Sequence, residues 1–220
     1  MMNQNKKRVA LASFPRSGNT WLRALVEEAT GELSGSVYND NIMPRGREGV
    51  IVKTHELDSH QYTHAIHILR NPFDAIESYF HWKRDIAGKK KISWDEHIKQ
   101  SVTEWHNHTQ HWLHTNCHVY RIRYEEFRED PTNKLSSILL WLGYDFKLEY
   151  LQEVVNKSSL NNLRKKNPKF GSKFFRQGKV NNGKTQFTDE QKLFVIKYLE
   201  EDLKVCEYEY ILSSLEQSMN

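Results

Sequence analysis

A short loop near the amino terminus, Ser13–Trp21, contains residue types that bind anions. It reads Ser-Phe-Pro-Arg-Ser-Gly-Asn-Thr-Trp, follows the apolar run Val9–Ala12 and opens the amphipathic stretch Trp21–Ala29. A strand, a tight turn and a helix amino terminus in this order form an anion-binding site, because the first amides of a helix have no partner within it. The loop has one glycine and no Lys-Ser/Thr after it, so it differs from the common ATP- or GTP-binding loop.

Arg70 is a second candidate for binding an anion, because it ends the apolar run Ala65–Leu69. Asn71-Pro72 then begins a predicted helix, with proline at a position where its missing amide hydrogen costs nothing. A guanidinium at such a strand end can bind a phosphate through two parallel hydrogen bonds. The loop and Arg70 would thus both lie beyond the carboxyl ends of strands, where ligands of parallel sheets bind.

Together these segments resemble the sulfotransferase family. The loop is similar to the family's 5′-phosphosulfate loop, Tyr-Pro-Lys-Ser-Gly-Thr-Thr-Trp, with Arg16 where the family usually has lysine. Further matches occur in the family's order over about residues 8–190, at Lys53-Thr54-His55, Arg70–Tyr79, Phe175–Gly178 and Phe187-Thr188. The resemblance implies a metal-independent enzyme with 3′-phosphoadenosine 5′-phosphosulfate (PAPS) as donor and adenosine 3′,5′-bisphosphate (PAP) as product.

The resemblance also implies which residues hold the donor. Arg70 and Ser78 correspond to the pair that binds the 3′-phosphate, and Trp21 corresponds to the ring that stacks on adenine. Tyr124 matches a tyrosine near the adenine, although a structural role is equally consistent with the sequence. The expected donor-binding residues are Arg16, Ser17, Gly18, Asn19, Thr20, Trp21, Arg70, Ser78, Tyr124, Ser158, Leu160, Arg176, Gln177 and Gly178.

Besides Arg16, Leu160 and Gln177 depart from the family pattern. Leu160 replaces the aromatic residue of the family's Thr-Ser-Phe segment, here Ser158-Ser159-Leu160, so we expect weaker stacking on that side of the adenine. Gln177 replaces the lysine of the family's Arg-Lys-Gly, here Arg176-Gln177-Gly178, and removes one charge from the 3′-phosphate site.

His55 is the expected catalytic base. Transfer to an alcohol near pH 7 requires a group that can take the acceptor's proton, and imidazole titrates in this range. His55 follows the apolar run Val50–Val52, and the family's base stands in the same Lys-Thr-His context. Lys53, Arg16 and the amides of residues 17–20 would stabilise negative charge on the leaving oxygen, so fixed cations would replace a metal.

The elements that position these residues alternate between strands and helices. Apolar, β-prone runs predict strands at 8–14, 49–54, 64–69 and 117–123. Helical patterns are present at 20–30, 72–87, 93–115, 131–142, 147–156 and 189–205. The sequence therefore predicts an α/β fold, a single domain over residues 1–220 with a central parallel β-sheet flanked by helices, similar to P-loop-containing nucleotide hydrolases. Ligands of such sheets bind beyond the carboxyl ends of the strands.

Composition limits the expected partners. The 220 residues include 38% hydrophobic and 27% charged residues, and the net charge of +4 suits an anionic ligand without requiring nucleic acid. The start, Met1–Arg8, has no long apolar segment for export and no apolar run is long enough to span a membrane, so we expect a cytoplasmic enzyme. The acceptor is expected to be a small molecule, a lipid or a glycan, and the oligomeric state stays open.

Other functions compete with sulfuryl transfer. A nucleotide or small-molecule kinase on a related core would require a lysine after the loop glycine, which is absent here. A non-catalytic binder of nucleotides or polyanions could keep the loop without turnover, although His55 beside Lys53 argues against it. The segments expected to wall the acceptor pocket, 34–48 and 84–94, do not indicate which acceptor binds.

A histidine-rich segment raises the question of a metal site. It contains His106, His108, His111, His114 and His118, with Cys117 nearby. Zinc sites of known pattern have tighter paired spacings. In addition, Trp105, His108 and Trp112 resemble the Trp-x-x-His-x-x-x-Trp packing helix of sulfotransferases. We therefore predict a packing helix and no metal.

Overall fold

Five parallel strands form the centre of the fold. The structure is a computed structural model that describes residues 8–38, 46–89, 91–166, 180 and 183–216. Residues 213–216 are described by their backbone alone. The strands are β1 (Val9–Ser13), β2 (Gly35–Ser36), β3 (Val52–Thr54), β4 (His64–Leu69) and β5 (His118–Arg123). Their order is β2-β3-β1-β4-β5, and every neighbouring pair is parallel. The predicted parallel α/β fold is confirmed.

Helices connect the strands and cover the sheet. They are α1 (Asn19–Thr30), α2 (Pro72–Asp85), α3 (Trp94–Leu113), α4 (Tyr124–Glu129), α5 (Pro131–Leu142), α6 (Leu148–Lys157), α7 (Leu160–Lys166), α8 (Asp189–Val205) and α9 (Glu209–Glu216), with a short 3-10 helix at Gly183–Gln186. The predicted helices are all present with small shifts at their ends. The sequence analysis missed β2, α4, α7, α9 and the 3-10 helix, which are short.

One predicted strand begins later than expected. Residues 49–51 precede β3 as irregular chain, although 49–54 was predicted as strand. Gly49 lies against the backbone of the chain entering β2, where an added Cβ would be 2.4 Å from the Gly35 nitrogen. Two backbone segments that approach this closely leave no room for a side chain, which explains the glycine.

Local capping explains why α2 begins directly at the end of β4. The Asn71 side chain accepts a hydrogen bond from the Phe73 amide at 3.0 Å, and Pro72 occupies the first helical position. An Asn cap and a first-turn proline both favour helix initiation. The Trp105 indole of α3 donates to the Arg70 carbonyl at 3.2 Å, so the junction between β4 and α2 is fixed from both sides.

The two faces of the sheet pack differently. Leu11, Ile66 and neighbouring apolar side chains join a core that includes residues of α1, α5 and α6. The opposite face presents small residues, Ala10, Ala12 and Ala65, against Trp112 of α3. Side chains alternate across a strand, so this pattern follows from the sequence of β1 and β4. Among the described residues, no helix is both long and apolar enough to cross a bilayer.

Candidate active site

The loop between β1 and α1 has an unusual backbone. Arg16 has φ of 71° and Gly18 has φ of 101°, so two left-handed residues flank Ser17. Left-handed conformation is uncommon for a residue other than glycine and is concentrated at functional sites. Helix α1 then begins with the Trp21 and Leu22 amides bonded to the Gly18 carbonyl at 3.0 and 3.1 Å. Turns of this kind at a helix amino terminus form concave anion sites.

Two buried polar atoms in this loop have no partner among the described residues. They are the Ser17 hydroxyl, on a residue that is 0% exposed, and the Asn19 side-chain oxygen. The Asn19 nitrogen is held by the Leu11 carbonyl at 3.0 Å, which fixes the orientation of the amide. A buried polar group without a hydrogen bond costs about 1–3 kcal/mol. The loop therefore has the hydrogen-bonding capacity of a ligand site.

Arg70 and Ser78 both contact this loop, although they are far from it in sequence. Arg70 Nη1 donates to the Arg16 carbonyl at 2.6 Å, and Arg16 Nε donates to the Ser78 hydroxyl at 3.3 Å. Arg70 ends β4 and Ser78 lies on α2, so the order of β1 and β4 in the sheet brings the two segments to the same edge. The structure thus brings together three of the residues expected to bind the donor.

Tyr124 contacts both the loop and Arg70. The Arg70 guanidinium is 4.5 Å from the centre of the Tyr124 ring. An added Cβ on Gly18 would be 2.6 Å from Tyr124 Cδ2, so the ring contacts the loop at the one position that has no side chain. Gly18 is therefore required both by its left-handed backbone and by the tyrosine ring.

Trp21 is enclosed by neighbouring side chains and is 5% exposed. Its indole nitrogen donates to the Ser158 carbonyl at 3.1 Å. The Phe127 ring lies 4.7 Å from its own, and the Arg128 guanidinium lies 5.2 Å from its ring centre. Trp21 and Ser158, both expected near the adenine, are thus in contact, and Trp21 also belongs to the core. Its stacking on adenine stays a prediction.

The remaining expected donor residues divide into two groups. Thr20 is buried in the first turn of α1, and Leu160 begins α7, partly buried against the core beside α1. The segment Arg176-Gln177-Gly178 lies outside the described residues, so its expected contact with the 3′-phosphate stays a prediction.

His55 lies just beyond β3 with its ring held in one orientation. Its Nδ1 is 2.6 Å from the Ser13 carbonyl oxygen at the end of β1. A carbonyl oxygen only accepts hydrogen bonds, so Nδ1 carries the hydrogen and Nε2 is the basic nitrogen. This is the tautomer that a general base with Nε2 facing the acceptor requires.

Tyr38 is a neighbour of His55 that the sequence did not indicate. Its hydroxyl accepts the backbone N–H of His55 at 3.0 Å, and its ring is stacked on the imidazole at a centroid distance of 5.6 Å. Lys53 Nζ lies 5.8 Å from the same ring. Tyr38 lies in the segment 34–48 that we expected to wall the acceptor pocket, but no motif marks it.

Glu125 was also missed, although it supports the segment that carries Arg70. Its carboxylate accepts the Asn71 amide at 2.9 Å and the Tyr208 hydroxyl at 2.8 Å. Burial raises the pKa of Glu125, and these hydrogen bonds together with Arg70 oppose that rise. The carboxylate therefore fixes the backbone directly after Arg70.

The histidine-rich segment does not converge on one point. His106 bonds Asp202 at 2.7 Å, His114 bonds Gln110 at 3.1 Å, and His118 stacks on His64 at 5.6 Å. His108 is buried 5.4 Å from the His67 ring. Within the part of the chain that the structure describes, no group of three or more His, Cys, Asp or Glu side chains could hold a metal ion.

The fold and this site define a class of protein: a parallel α/β protein with a candidate anion-binding loop between its first strand and first helix, and an arginine at the end of the neighbouring strand. A family model described as "Sulfotransferase domain" matches residues 51–207. The chain belongs to this family, and the resemblance seen in the sequence is confirmed.

Curated relatives divide into two kinds. A WSCD family member of Aedes aegypti is 31% identical over 174 residues, which cover 68% of this chain and 54% of the relative. Sulfotransferase 1A1 of Bos taurus is 25% identical over 247 residues, covering 86% of this chain and 81% of that protein. The chain spans about half the length of the WSCD relatives that it matches over most of its own length.

Solved structures share the fold. Mouse sulfotransferase SULT7A1, complexed with PAP, superposes with a TM-score of 0.76 at 21% identity, covering 98% of this chain and 90% of that one. Retinol dehydratase in a complex with retinol and PAP has a TM-score of 0.66 at 16% identity, covering 92% of this chain and 83% of the other. These similarities show that this chain has the same three-dimensional fold as those two proteins.

Proposed function

We propose that this chain is a sulfotransferase that moves a sulfuryl group from PAPS to a hydroxyl or amine of an acceptor. The observation that carries the proposal is the convergence of Arg16, Arg70 and Ser78 at a loop whose Ser17 hydroxyl is buried and has no hydrogen-bond partner among the described residues. Family membership supports it, and so do the PAP complexes of the structural neighbours. The described residues build one sheet with helices on both faces, which supports a single sulfotransferase domain.

Donor binding would use both sides of the loop. The Ser17 hydroxyl and the amides of residues 17–20 would hold the 5′-phosphosulfate end, and Arg70 with Ser78 would hold the 3′-phosphate. Trp21 and Tyr124, with the Ser158 to Leu160 segment, would surround the adenine. Arg176, Gln177 and Gly178 complete the proposed site from outside the described residues.

Catalysis would use groups that the chain already fixes in place. Bound PAPS supplies an activated sulfuryl group. His55 Nε2 would take the acceptor's proton, since Nδ1 is occupied by the Ser13 carbonyl. Lys53 and Arg16 would stabilise the negative charge that develops at the leaving oxygen, and Arg16 would remain protonated throughout. No residue in this scheme requires a metal.

The acceptor is proposed to be a small molecule, a lipid or a glycan. Neighbours with the same fold are complexed with androsterone or retinol, which supports a small-molecule acceptor. The WSCD relatives are about twice as long as the matched region, so their activity is not a guide to the acceptor of this chain.

Calorimetric titration of the purified chain with PAP, ATP and ADP in metal-free buffer tests the proposal. We expect micromolar binding of PAP and no measurable binding of ATP or ADP. A Lys204→Ala variant, which removes an exposed cation on α8 paired with Glu200 and Glu201, should bind PAP as the wild type does. Preference for ATP would indicate a kinase, and absence of binding to all three would contradict a PAPS-dependent enzyme.

A further inference from the structure

We infer that Tyr38 is a positioning residue that fixes His55 and Lys53 relative to each other at the proposed catalytic centre. The inference rests on the proposed function, because it concerns the base and the cation of that reaction. Tyr38 belongs to none of the family motifs in the sequence. Its contacts with the backbone, the imidazole and the lysine carry the argument.

The first contact extends the pairing of β2 with β3 by one residue. β2 pairs Gly35 with Val52 and Ser36 with Lys53, and the Val37 amide still donates to the Lys53 carbonyl at 3.1 Å. Beyond that point the Tyr38 hydroxyl, and not another backbone carbonyl, accepts the His55 amide. The Tyr38 side chain therefore helps to fix the backbone of His55 directly after β3 ends.

Tyr38 is itself held in position for this role. Its own amide donates to the Ser36 hydroxyl at 3.2 Å, within the two-residue strand. Burial raises the pKa of the Tyr38 phenol, and its contacts with the His55 backbone and the Thr54 side chain oppose the rise. The phenol stays neutral near pH 7, so it can accept the His55 amide without adding a charge beside the catalytic groups.

The Tyr38 ring also contacts the side chains of His55 and Lys53. Its plane lies 23° from that of the imidazole, which restricts rotation of the His55 ring. Lys53 Nζ lies 5.8 Å from the centre of the same ring, within the range of a cation–π attraction. His55 is therefore held by three contacts. Its backbone amide donates to the Tyr38 hydroxyl, its ring stacks on the Tyr38 ring, and its Nδ1 is bound to the Ser13 carbonyl. A misplacement of about 1 Å in such a group can cost a hundredfold in rate.

Three variants separate these contacts. Tyr38→Phe keeps the ring and removes the hydroxyl, and Tyr38→Leu removes both. Tyr62→Phe is the matched control, because Tyr62 is a buried tyrosine whose hydroxyl has no partner among the described residues. Each protein is examined without ligand by amide hydrogen exchange at His55 and by ¹⁵N shifts of the His55 ring.

We expect exchange of the His55 amide to be about fivefold faster or more in Tyr38→Phe, as for loss of one hydrogen bond, and unchanged in Tyr62→Phe. The ring nitrogens of the wild type should report an Nδ1–H tautomer, and Tyr38→Leu should show a mixture of tautomers. Unchanged exchange in Tyr38→Phe, or equal changes in Tyr62→Phe, would overturn the inference.

Kinetics then tests the positioning role. With PAPS as donor and 2-naphthol, androsterone and unsulfated chondroitin as probe acceptors, we expect kcat to fall about tenfold in Tyr38→Phe and further in Tyr38→Leu. PAP affinity should stay within about twofold of wild type, because Tyr38 contacts none of the described residues that are expected to hold the 3′-phosphate or the adenine. A wild-type kcat in Tyr38→Leu would overturn the role in transfer. Failure of the wild type to bind PAP would instead contradict the proposed function and leave the exchange result intact.

Discussion

Histidines occupy two very different regions of the same sheet. At the carboxyl edge, His55 is partly exposed, and its ring is fixed by a carbonyl and a tyrosine. In the interior, between the sheet and α3, His67 and His108 are 1% and 2% exposed. None of the ring nitrogens of these two residues has a hydrogen-bond partner among the described residues. At the edge the histidine ring is oriented by a hydrogen bond and is partly exposed, whereas in the interior the rings are packed against each other and Trp112 and are almost fully buried.

Burial between the sheet and α3 also makes the His67 and His108 imidazoles poor proton acceptors. Burial, with Arg121 and His111 as smaller causes, lowers the pKa of His67 to about 3. Burial beside His67 lowers the pKa of His108 well below its ordinary value. Neither imidazole can act as a base near neutral pH. Their burial therefore makes His67 and His108 unsuitable as bases, in contrast to the partly exposed His55.

The largest expected effect is at the edge. His55→Ala should reduce transfer to the probe acceptors by a factor of about 10² to 10⁴, because it removes the proposed base. PAP affinity should stay within a few-fold, since His55 would touch the acceptor's proton and not the adenine. The interior variant His67→Leu should keep wild-type kcat under conditions where it is folded. Near-normal turnover of His55→Ala would show that His55 is not the base and that it differs from His67 in no catalytic respect.

Arg70→Ala tests the donor side of the same edge. The loss of a charge-assisted contact to a phosphate should weaken PAP binding by about 2 kcal/mol, or about thirtyfold. Calorimetric titration measures the change, with Lys204→Ala as the control for removing one positive charge. Equal affinity in wild type and Arg70→Ala would refute the assignment of Arg70 to the 3′-phosphate.

The buried His67, in contrast, should make the free energy of unfolding depend on pH. The pKa of His67 is lowered from its ordinary value of 6.5 to about 3 in the folded state, so the unfolded chain binds more protons between these values. Stability is therefore lost as pH falls below about 6.5, and at pH 5 His67 alone should reduce the free energy of unfolding by about 2 kcal/mol.

Urea unfolding of His67→Leu at pH 7 and pH 5 measures this effect. The decline between the two pH values should be smaller than in wild type by about 2 kcal/mol. His60→Gln, at an exposed position, should decline as wild type does. An unchanged decline in His67→Leu would mean that His67 is protonated in the folded protein and that burial does not lower its pKa.

The smallest expected effect is that of Tyr62→Phe. The Tyr62 hydroxyl is buried without a partner among the described residues, so removing it should change the free energy of unfolding by about 0.5 kcal/mol or less. Transfer should be unaffected. A large loss of stability would reveal a hydrogen bond to the Tyr62 hydroxyl and weaken its use as a control for Tyr38.

Much of the architecture could be predicted because it depends on local pattern. The apolar run 64–69 predicts β4 with the bounds observed, and the pattern at 131–142 does the same for α5. Asn71-Pro72 locates the start of α2 through capping that involves neighbouring residues only. The residue types of the loop from Ser13 to Trp21 predict an anion site, and the tight turn observed at Arg16 and Gly18 depends on a few adjacent positions.

Tertiary structure alone decided which distant residues meet. β2 has only two residues, too few to show a period, yet its pairing with β3 places Tyr38 against His55 and Lys53. The contact of Arg16 with Arg70 and Ser78 depends on β1 and β4 being neighbours in the sheet. The sequence determined the elements and the chemistry available at their ends, because both follow from local residue types. Strand order and register determined the site, because they follow from packing over the whole chain.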